Sequence, residues 1–404
     1  MRRRLILAGG GHAHLFTLSR LSEFFGAGID VVCIAPSPHL SYSGMGPGML
    51  SGRYAPSELR FAIEAMVRGD VPGGPGRRPP TEKAAGESGC RPDALERGEG
   101  TFVRGCVCGI DAVGKTVRLA DGREFGYDAV SCGIGSVVHA PFPVEAAPGV
   151  GVYPVKPIDN LLAARRDIAS RIEAGCPPHV LVIGGGASAF EVAGNAVTLL
   201  AGCGVKTPLV TVIAGRGLLC DWPARARRLA LTSLARRGVR IVPGRVERFA
   251  GNRALLAGGG AIGGEVCLIA TGTRPPDLFA RAGLALAPDG GLAVNTFLQS
   301  PLFPEIFGGG DCIRFEPRPL VRAGVYAVRQ GPVLCANLLA FLTGGELTPF
   351  RRTGSAYLAL LNDGDGRAIL RKGPFVFEGR WCMALKDWID RRFIRSFPPR
   401  RPAA

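Results

Sequence analysis

Two stretches of this chain set three consecutive glycines between an aliphatic run and a segment able to start a helix. Leu5-Ile6-Leu7-Ala8 leads into Gly9-Gly10-Gly11-His12-Ala13-His14, and Val180-Leu181-Val182-Ile183 leads into Gly184-Gly185-Gly186-Ala187-Ser188-Ala189. Glycines at the first and third positions let the backbone turn sharply and bring N–H groups against a pyrophosphate. The helix that follows turns its positive end toward the phosphates. One triple glycine is a weak signal, because it also serves as a plain strand-to-helix turn; two in the same context are a stronger one. The second loop carries the full Gly184-x-Gly186-x-x-Ala189 pattern, with Glu191 on its helix. In the first, His14 stands where a small residue normally packs helix against strand. His12 and His14 could each donate to phosphate, although packing at a helix start is the plainer use for both.

The residue closing the second strand of such a unit selects the dinucleotide, because a carboxylate there binds the ribose 2′-hydroxyl. The first unit offers Ala35-Pro36-Ser37 and the second Ala214-Gly215-Arg216, neither with an acid. An arginine such as Arg216 can accommodate a 2′-phosphate, so the reading leans to NADPH and keeps NADH open.

Around these loops the elements follow. Apolar runs at Ile29 to Ala35 and Leu209 to Ala214 complete two strand–turn–helix–strand units, and each demands a parallel sheet. Residues 71–100 are rich in Pro, Gly and charge and are read as a flexible insertion. Residues 101–130, with a turn at Asp121-Gly122, are read as a small β-meander. The chain's 404 residues suit two or three domains; 47% hydrophobic and 20% charged residues exclude wholesale disorder. No apolar run reaches the roughly 18 residues of a membrane span. Twelve scattered cysteines without a Cys-x-x-Cys pair argue against a disulfide scaffold and a structural zinc site. The basic start Met1-Arg2-Arg3-Arg4 has too short an apolar run for a signal peptide, so the expectation is cytoplasmic and disulfide-free. The net charge of +16 favours anionic partners, but the arginines are dispersed and no recognition motif supports nucleic acid. From Trp381 to Phe397, Trp381, Leu385, Trp388, Ile389, Phe393 and Phe397 recur at helical spacing, with arginines between them. That pattern suits an anionic membrane face, and equally a helix packed on the body or on a dimer partner.

Three further segments carry a resemblance. Thr296 to Asp311, ending Phe307-Gly308-Gly309-Gly310-Asp311, resembles the second flavin signature of two-dinucleotide-domain flavoproteins, in which the aspartate binds the ribityl chain. Leu268-Ile269-Ala270-Thr271-Gly272-Thr273-Arg274-Pro275 resembles the crossover from the nicotinamide domain back to the flavin domain. Tyr127 to Ser136 stands where the matching first crossover belongs. Within that superfamily the chain looks most like the type II NADH dehydrogenase-like group, and like the flavoprotein module fused ahead of selenide, water dikinase in some organisms. Tyr42-Ser43-Gly44-Met45-Gly46-Pro47-Gly48-Met49, Pro154-Val155-Lys156-Pro157-Ile158-Asp159 and Tyr326-Ala327-Val328-Arg329-Gln330-Gly331-Pro332 carry that likeness.

The resemblance implies an α/β fold of two Rossmann-type FAD/NAD(P)-binding domains, the second inserted in the first. The expected flavin domain is 1–150 and 286–345, the NAD(P)H domain 151–285, and a small C-terminal cap 346–404 carries the basic amphipathic helix. It implies FAD and NAD(P)H as cofactors, held by Gly9, Gly10, Gly11, His12, Lys156, Gly310, Asp311 and Gln330 on the flavin side. Gly184, Gly186, Ala189, Glu191, Arg216, Ala270, Thr271 and Gly272 serve the nicotinamide side. Gln330 and Gly331 are expected to open a helix, with Pro332 in its first turn. The implied reaction passes hydride from NAD(P)H to flavin and electrons on to a small-molecule acceptor, quinone among the candidates; no catalytic residue and no metal is assigned. Ser41 to Leu50 lacks the Cys-x4-Cys relay of disulfide reductases, and Gly324 to Arg329 lacks the quinone-site glutamines of relatives. Two other readings remain: a low-turnover flavin-bound redox sensor or scaffold, and a sulfide:quinone reductase-like enzyme using cysteines such as Cys132, Cys176 and Cys335. Peripheral contact at the inner membrane face through 381–404 and a homodimer stay open.

Overall fold

A computed structural model describes residues 2–69, 100–351 and 357–398. The insertion expected over 71–100 lies outside them, except for Gly100. The architecture repeats one plan twice. In the first sheet the strands Ile306–Gly308, Ala129–Cys132, Arg3–Ala8, Ile29–Ala35 and Thr101–Arg104 lie side by side, all parallel. In the second, Gly151–Pro154, Val266–Ile269, Val180–Ile183, Val210–Ala214 and Arg240–Pro243 take the corresponding places, again all parallel. Each glycine-loop strand is therefore the central one. Leu5 pairs with Val31 on one side and Ala129 on the other, while Val180 pairs with Val210 and Val266. Both central strands are buried through their aliphatic residues, as unbroken apolar runs in a doubly covered parallel sheet must be.

The strand Ile306–Gly308 returns to the first sheet after the whole second sheet has formed, so one unit is inserted in the other. A short antiparallel pair, Val137–Val138 with Thr273–Arg274, joins the outgoing and returning connections. The strands Val107–Asp111, Thr116–Leu119 and Glu124–Gly126 form the meander expected over 101–130, while its flanking strands belong to the first sheet.

The helix after the second loop is a single stretch, Ala187–Gly202. After the first loop it is broken into a 3-10 turn His12–His14 and the short helices Leu15–Ser19 and Leu21–Gly26. The core helix Gly324–Thr343 corrects the expected start at Gln330: it begins six residues earlier, and Pro332 lies inside it. This helix is long and apolar enough to cross a membrane by length and composition alone, but its window is half buried, with Tyr326, Leu334 and Leu338 in the core.

The cap is a three-stranded antiparallel sheet, Ala359–Asn362, Ala368–Lys372 and Phe375–Gly379, followed by the terminal helix Arg380–Arg395. The expected apolar stripe of that helix is covered at its C-terminal end, Phe393 packing against the core of the first sheet and Phe397 lying in it. Cys382, Met383, Lys386 and Asp390 face inward, whereas Trp381 and Trp388 are more than half exposed. The cap plugs into the second unit at Gly194 of the helix Ala187–Gly202, where any Cβ would overlap the Asp363 carbonyl.

Candidate functional site

The first glycine loop is shaped by the crossover that passes over it. Gly9 adopts φ +93°, and the N–H of Gly11 donates to the Gly133 carbonyl at 3.1 Å. A Cβ on Gly9 would lie 2.6 Å from that carbonyl oxygen, and one on Gly11 would overlap it. Both positions are closed to every other residue. His14, where a small residue is usual, is fully buried; its Nδ1 lies 2.6 Å from the Gly9 carbonyl and its Nε2 2.8 Å from Ser131 Oγ. A carbonyl can only accept, so Nδ1 carries the proton and Nε2 accepts from the serine hydroxyl. Burial pushes the ring down to about 4, keeping it neutral. Its ring fits because Gly133 has no side chain: a Cβ there would stand 2.6 Å from the imidazole. The histidine and Gly133 together replace the small-residue contact.

His12 packs among Tyr42, Phe61 and Phe393, its ring nearly parallel to Phe393 at 6.3 Å. Burial and then the Lys156 ammonium push it down to about 4. Its Nε2 is buried and has no hydrogen-bond partner, an orphan that a ligand group at this loop would satisfy.

Beside it lies the charged centre of the site. Lys156 Nζ donates to Asp311 Oδ2 at 2.9 Å and to Ser136 Oγ at 3.0 Å, and Ser136 Oγ donates to the same carboxylate at 2.8 Å. The aspartate is 11% exposed and the lysine 25%, so this pair is largely shielded from water. Burial works against the Asp311 carboxylate, but the Lys156 ammonium and the two hydrogen bonds hold it below the ordinary range. Gly310 turns with φ +83°, and its N–H donates to Gln330 Oε1 at 2.7 Å, so Gln330 fixes the aspartate's backbone from inside the core helix. Arg322 Nε donates to the Asp311 carbonyl at 3.0 Å. Ser136 and Arg322 escaped sequence reasoning. Ser136 could have been found, as the last residue of the first crossover; Arg322 has no such signal.

The second loop repeats the device. A Cβ on Gly184, which has φ +146°, would overlap the Ala270 carbonyl, and the Ala270 N–H donates to Ile183 O at 2.7 Å. Gly272 takes φ +105°, and Thr271 Oγ1 donates to His139 O at 2.7 Å, tying the returning connection to the outgoing one. Ala189 is buried at the close contact of helix and sheet, and nothing lies within 4 Å of a Cβ on Gly186. That open space faces the N-terminus of the helix Ala187–Gly202. Two residues stand apart from this cluster. Arg216 is exposed and paired with Asp221 at 3.0 Å. Glu191 turns to the cap, its Oε1 accepting the Asn362 N–H at 2.8 Å; burial pushes it up to about 7 against the pull of Lys386.

Lys386 and Asp390 form a buried pair at 2.6 Å. Lys386 also donates to Gly44 O at 2.6 Å, and Tyr42 donates to Asp390 Oδ1 at 3.1 Å. The cap thus grips the Tyr42–Gly46 segment beside His12. The cysteines weighed for sulfide chemistry are scattered: Cys132 lies in the first sheet, Cys335 in the core helix, and Cys176 is exposed after the helix Asp159–Glu173.

The residues present fit FAD at the first loop and a nicotinamide dinucleotide at the second. Each loop is stripped of side chains by a crossover carbonyl, and an orphaned imidazole stands at the first. The chain is 26% identical over 281 residues to ferroptosis suppressor protein 1 of Taeniopygia guttata, covering 66% of this chain and 70% of that one. It is 25% identical over 251 residues to the mitochondrial internal alternative NAD(P)H-ubiquinone oxidoreductase A1 of Arabidopsis thaliana, covering 54% and 49%. The solved structure of NDH2 from Plasmodium falciparum in complex with NADH shares the fold, with a TM-score of 0.73 over 99% of both chains at 12% identity. The pyridine nucleotide-disulphide oxidoreductase family model matches residues 3–331, and the chain belongs to that family: it is an oxidoreductase that binds FAD and NAD(P)H.

Proposed function

We propose that this enzyme takes electrons from NAD(P)H and delivers them to a quinone at a membrane surface. The observation that carries the first half is the matched pair of glycine loops, joined through the crossovers to the shielded Lys156–Asp311 pair. Bound FAD supplies the chemistry, accepting a hydride from the nicotinamide and returning two electrons. The chain's part is to seat both dinucleotides, keep a cation at Lys156 beside the flavin loop, and exclude water through the His12, Tyr42, Phe61 and Phe393 cluster.

The second half is supported by the Arabidopsis relative's ubiquinone activity, as its name gives it, and by the cap's surface. Phe375, Phe377, Trp381 and Trp388 are all exposed on neighbouring cap elements, Phe377 and Trp381 with ring centroids 5.8 Å apart. Arg392 lies over the Trp388 ring. Exposed aromatics flanked by arginine are the composition of an interfacial anchor.

The test is anaerobic. The flavin band should bleach with a nicotinamide and return on adding a short-chain ubiquinone analogue. A flavin that bleaches but is reoxidised only by oxygen or a one-electron dye removes quinone as acceptor. For the surface, Trp381→Ala with Trp388→Ala should abolish co-sedimentation with anionic vesicles while the flavin spectrum persists. Unchanged partitioning, or a wild-type dimer that the double variant dissociates, would reject membrane docking.

A further inference from the structure

Beyond the second sheet an open cavity of about 460 Å3 is lined by Cys220, Trp222, Arg227, Arg228, Leu231 and Thr232. One wall is the loop that leaves the strand Val210–Ala214, and the other is a face of the helix Ala224–Arg236. The loop lies directly on the nicotinamide-side glycine turn. The Leu219 N–H donates to Gly185 O at 2.7 Å, and a Cβ on Gly185 would stand 2.6 Å from Gly217 O. Arg227 closes against the same loop, with Nη2 at 3.3 Å from the position of a Gly217 Cβ. The cavity therefore opens next to the turn that receives a dinucleotide's pyrophosphate.

Its chemistry is one-sided. No carboxylate lines it, and among the described residues neither Arg227 nor Arg228 has an ion-pair partner. Arg216, which the sequence singles out for a 2′-phosphate, is instead held by Asp221. Trp222 gives the cavity an aromatic wall, and the Arg371 guanidinium stands 5.0 Å from its ring centroid. Free guanidiniums match the geometry of a phosphomonoester, and an indole face suits a purine.

We propose that this cavity receives the 2′-phosphoadenosine end of NADPH, with Arg227 and Arg228 as the residues that set donor specificity. The proposal rests on the nicotinamide reading of the second glycine loop and transfers the discriminating role from Arg216 to the neighbouring helix.

Two measurements test it, one of them independent of turnover. In calorimetric titrations of the flavin-loaded protein, 2′-AMP should bind about tenfold or more tightly than 5′-AMP, the loss expected when a charged phosphate contact is absent. Arg227→Glu combined with Arg228→Glu should erase that difference, and Arg227→Lys alone should retain part of it. In anaerobic flavin reduction, the ratio of the NADPH to the NADH half-saturation concentration should rise about tenfold in the double variant. It should rise less in Arg216→Glu. If 2′-AMP binds no better than 5′-AMP, or only as well as inorganic phosphate, the cavity is a general basic patch and the proposal falls. It falls equally if the double variant weakens both nicotinamides alike. Failure of both nicotinamides to reduce the wild-type flavin would instead strike the donor reading, while the 2′-AMP titration still decides the cavity.

Discussion

A methyl group added at Gly11 and one added at Gly186 should have opposite consequences, although both glycines hold the third place of a triple-glycine turn. At Gly11 the new carbon would overlap the Gly133 carbonyl, part of a buried backbone that cannot retreat. Gly11→Ala should cost about 1–3 kcal/mol of stability, the range for forced overpacking, and yield protein with depleted flavin. At Gly186, where φ is −86° and no atom lies within 4 Å, Gly186→Ala should fold and keep its flavin. Its defect should be confined to the half-saturation concentration for NAD(P)H, because the added carbon occupies space at the helix N-terminus. Thermal melts and the ratio of flavin to protein absorbance separate the two. Asp311→Ala belongs to the same scale. It leaves the Lys156 ammonium without its carboxylate, so purified protein should carry markedly less FAD than wild type. Full occupancy would show that the aspartate only braces Lys156.

At the scale of elements, the cap is held by charges that the fold buries. Lys386→Met would leave Asp390, 6% exposed, without its cation, a loss of about 3–5 kcal/mol of stability. Replacing both with apolar residues should recover most of it, which a melting series would show. The hairpin end has a pH dependence of its own. Asp363 is buried against Ser233 and Arg237, with Asp365 and Glu378 also near; burial raises its carboxyl from 3.8 to about 6. Glu191, facing Lys386 and Asp390, is raised to about 7. For an acid whose folded pKa is raised, the folded state holds its proton longer than the unfolded chain. Stability is therefore greatest at or below the ordinary carboxylate range and declines as pH climbs through about 4 to 7. Asp363→Asn keeps an oxygen for the Ser233 hydroxyl and removes the titration. Its melting temperature should exceed wild type at pH 8 and fall less between pH 5 and pH 8. A slope identical to wild type would place the titration elsewhere.

Across the whole molecule, what could be read from the sequence was local and what could not was assembled from distant segments. Both glycine turns, the segment ending at Gly310-Asp311 and the order of the crossovers are short patterns legible within a few residues, although the carbonyls that close the turns to a side chain, those of Gly133 and Ala270, come from distant crossovers. His14 looked like a departure because its counterpart, the missing side chain of Gly133, lies far along the chain. The core helix began before Gln330 because burial of Tyr326 and Ala327 outweighed the preference of Pro332 for a first turn. In the terminal helix the i, i+4 Lys386–Asp390 pair is buried because a distant segment supplies Gly44 O and Tyr42, partners that no local pattern shows. The packing of this helix decides how membrane contact must be tested. Phe393 stacks on His12 and meets Phe61, while Phe397 packs on Phe16 and Phe61. Removing residues 381–404 would therefore uncover the flavin-side aromatic cluster as well as any lipid-facing surface. The truncated protein should lose flavin and melt at lower temperature even in solution without lipid, whereas Trp381→Ala with Trp388→Ala should do neither. A truncation that retains full flavin and an unchanged melting temperature would mean that the terminal helix is an attachment and not part of the site's wall.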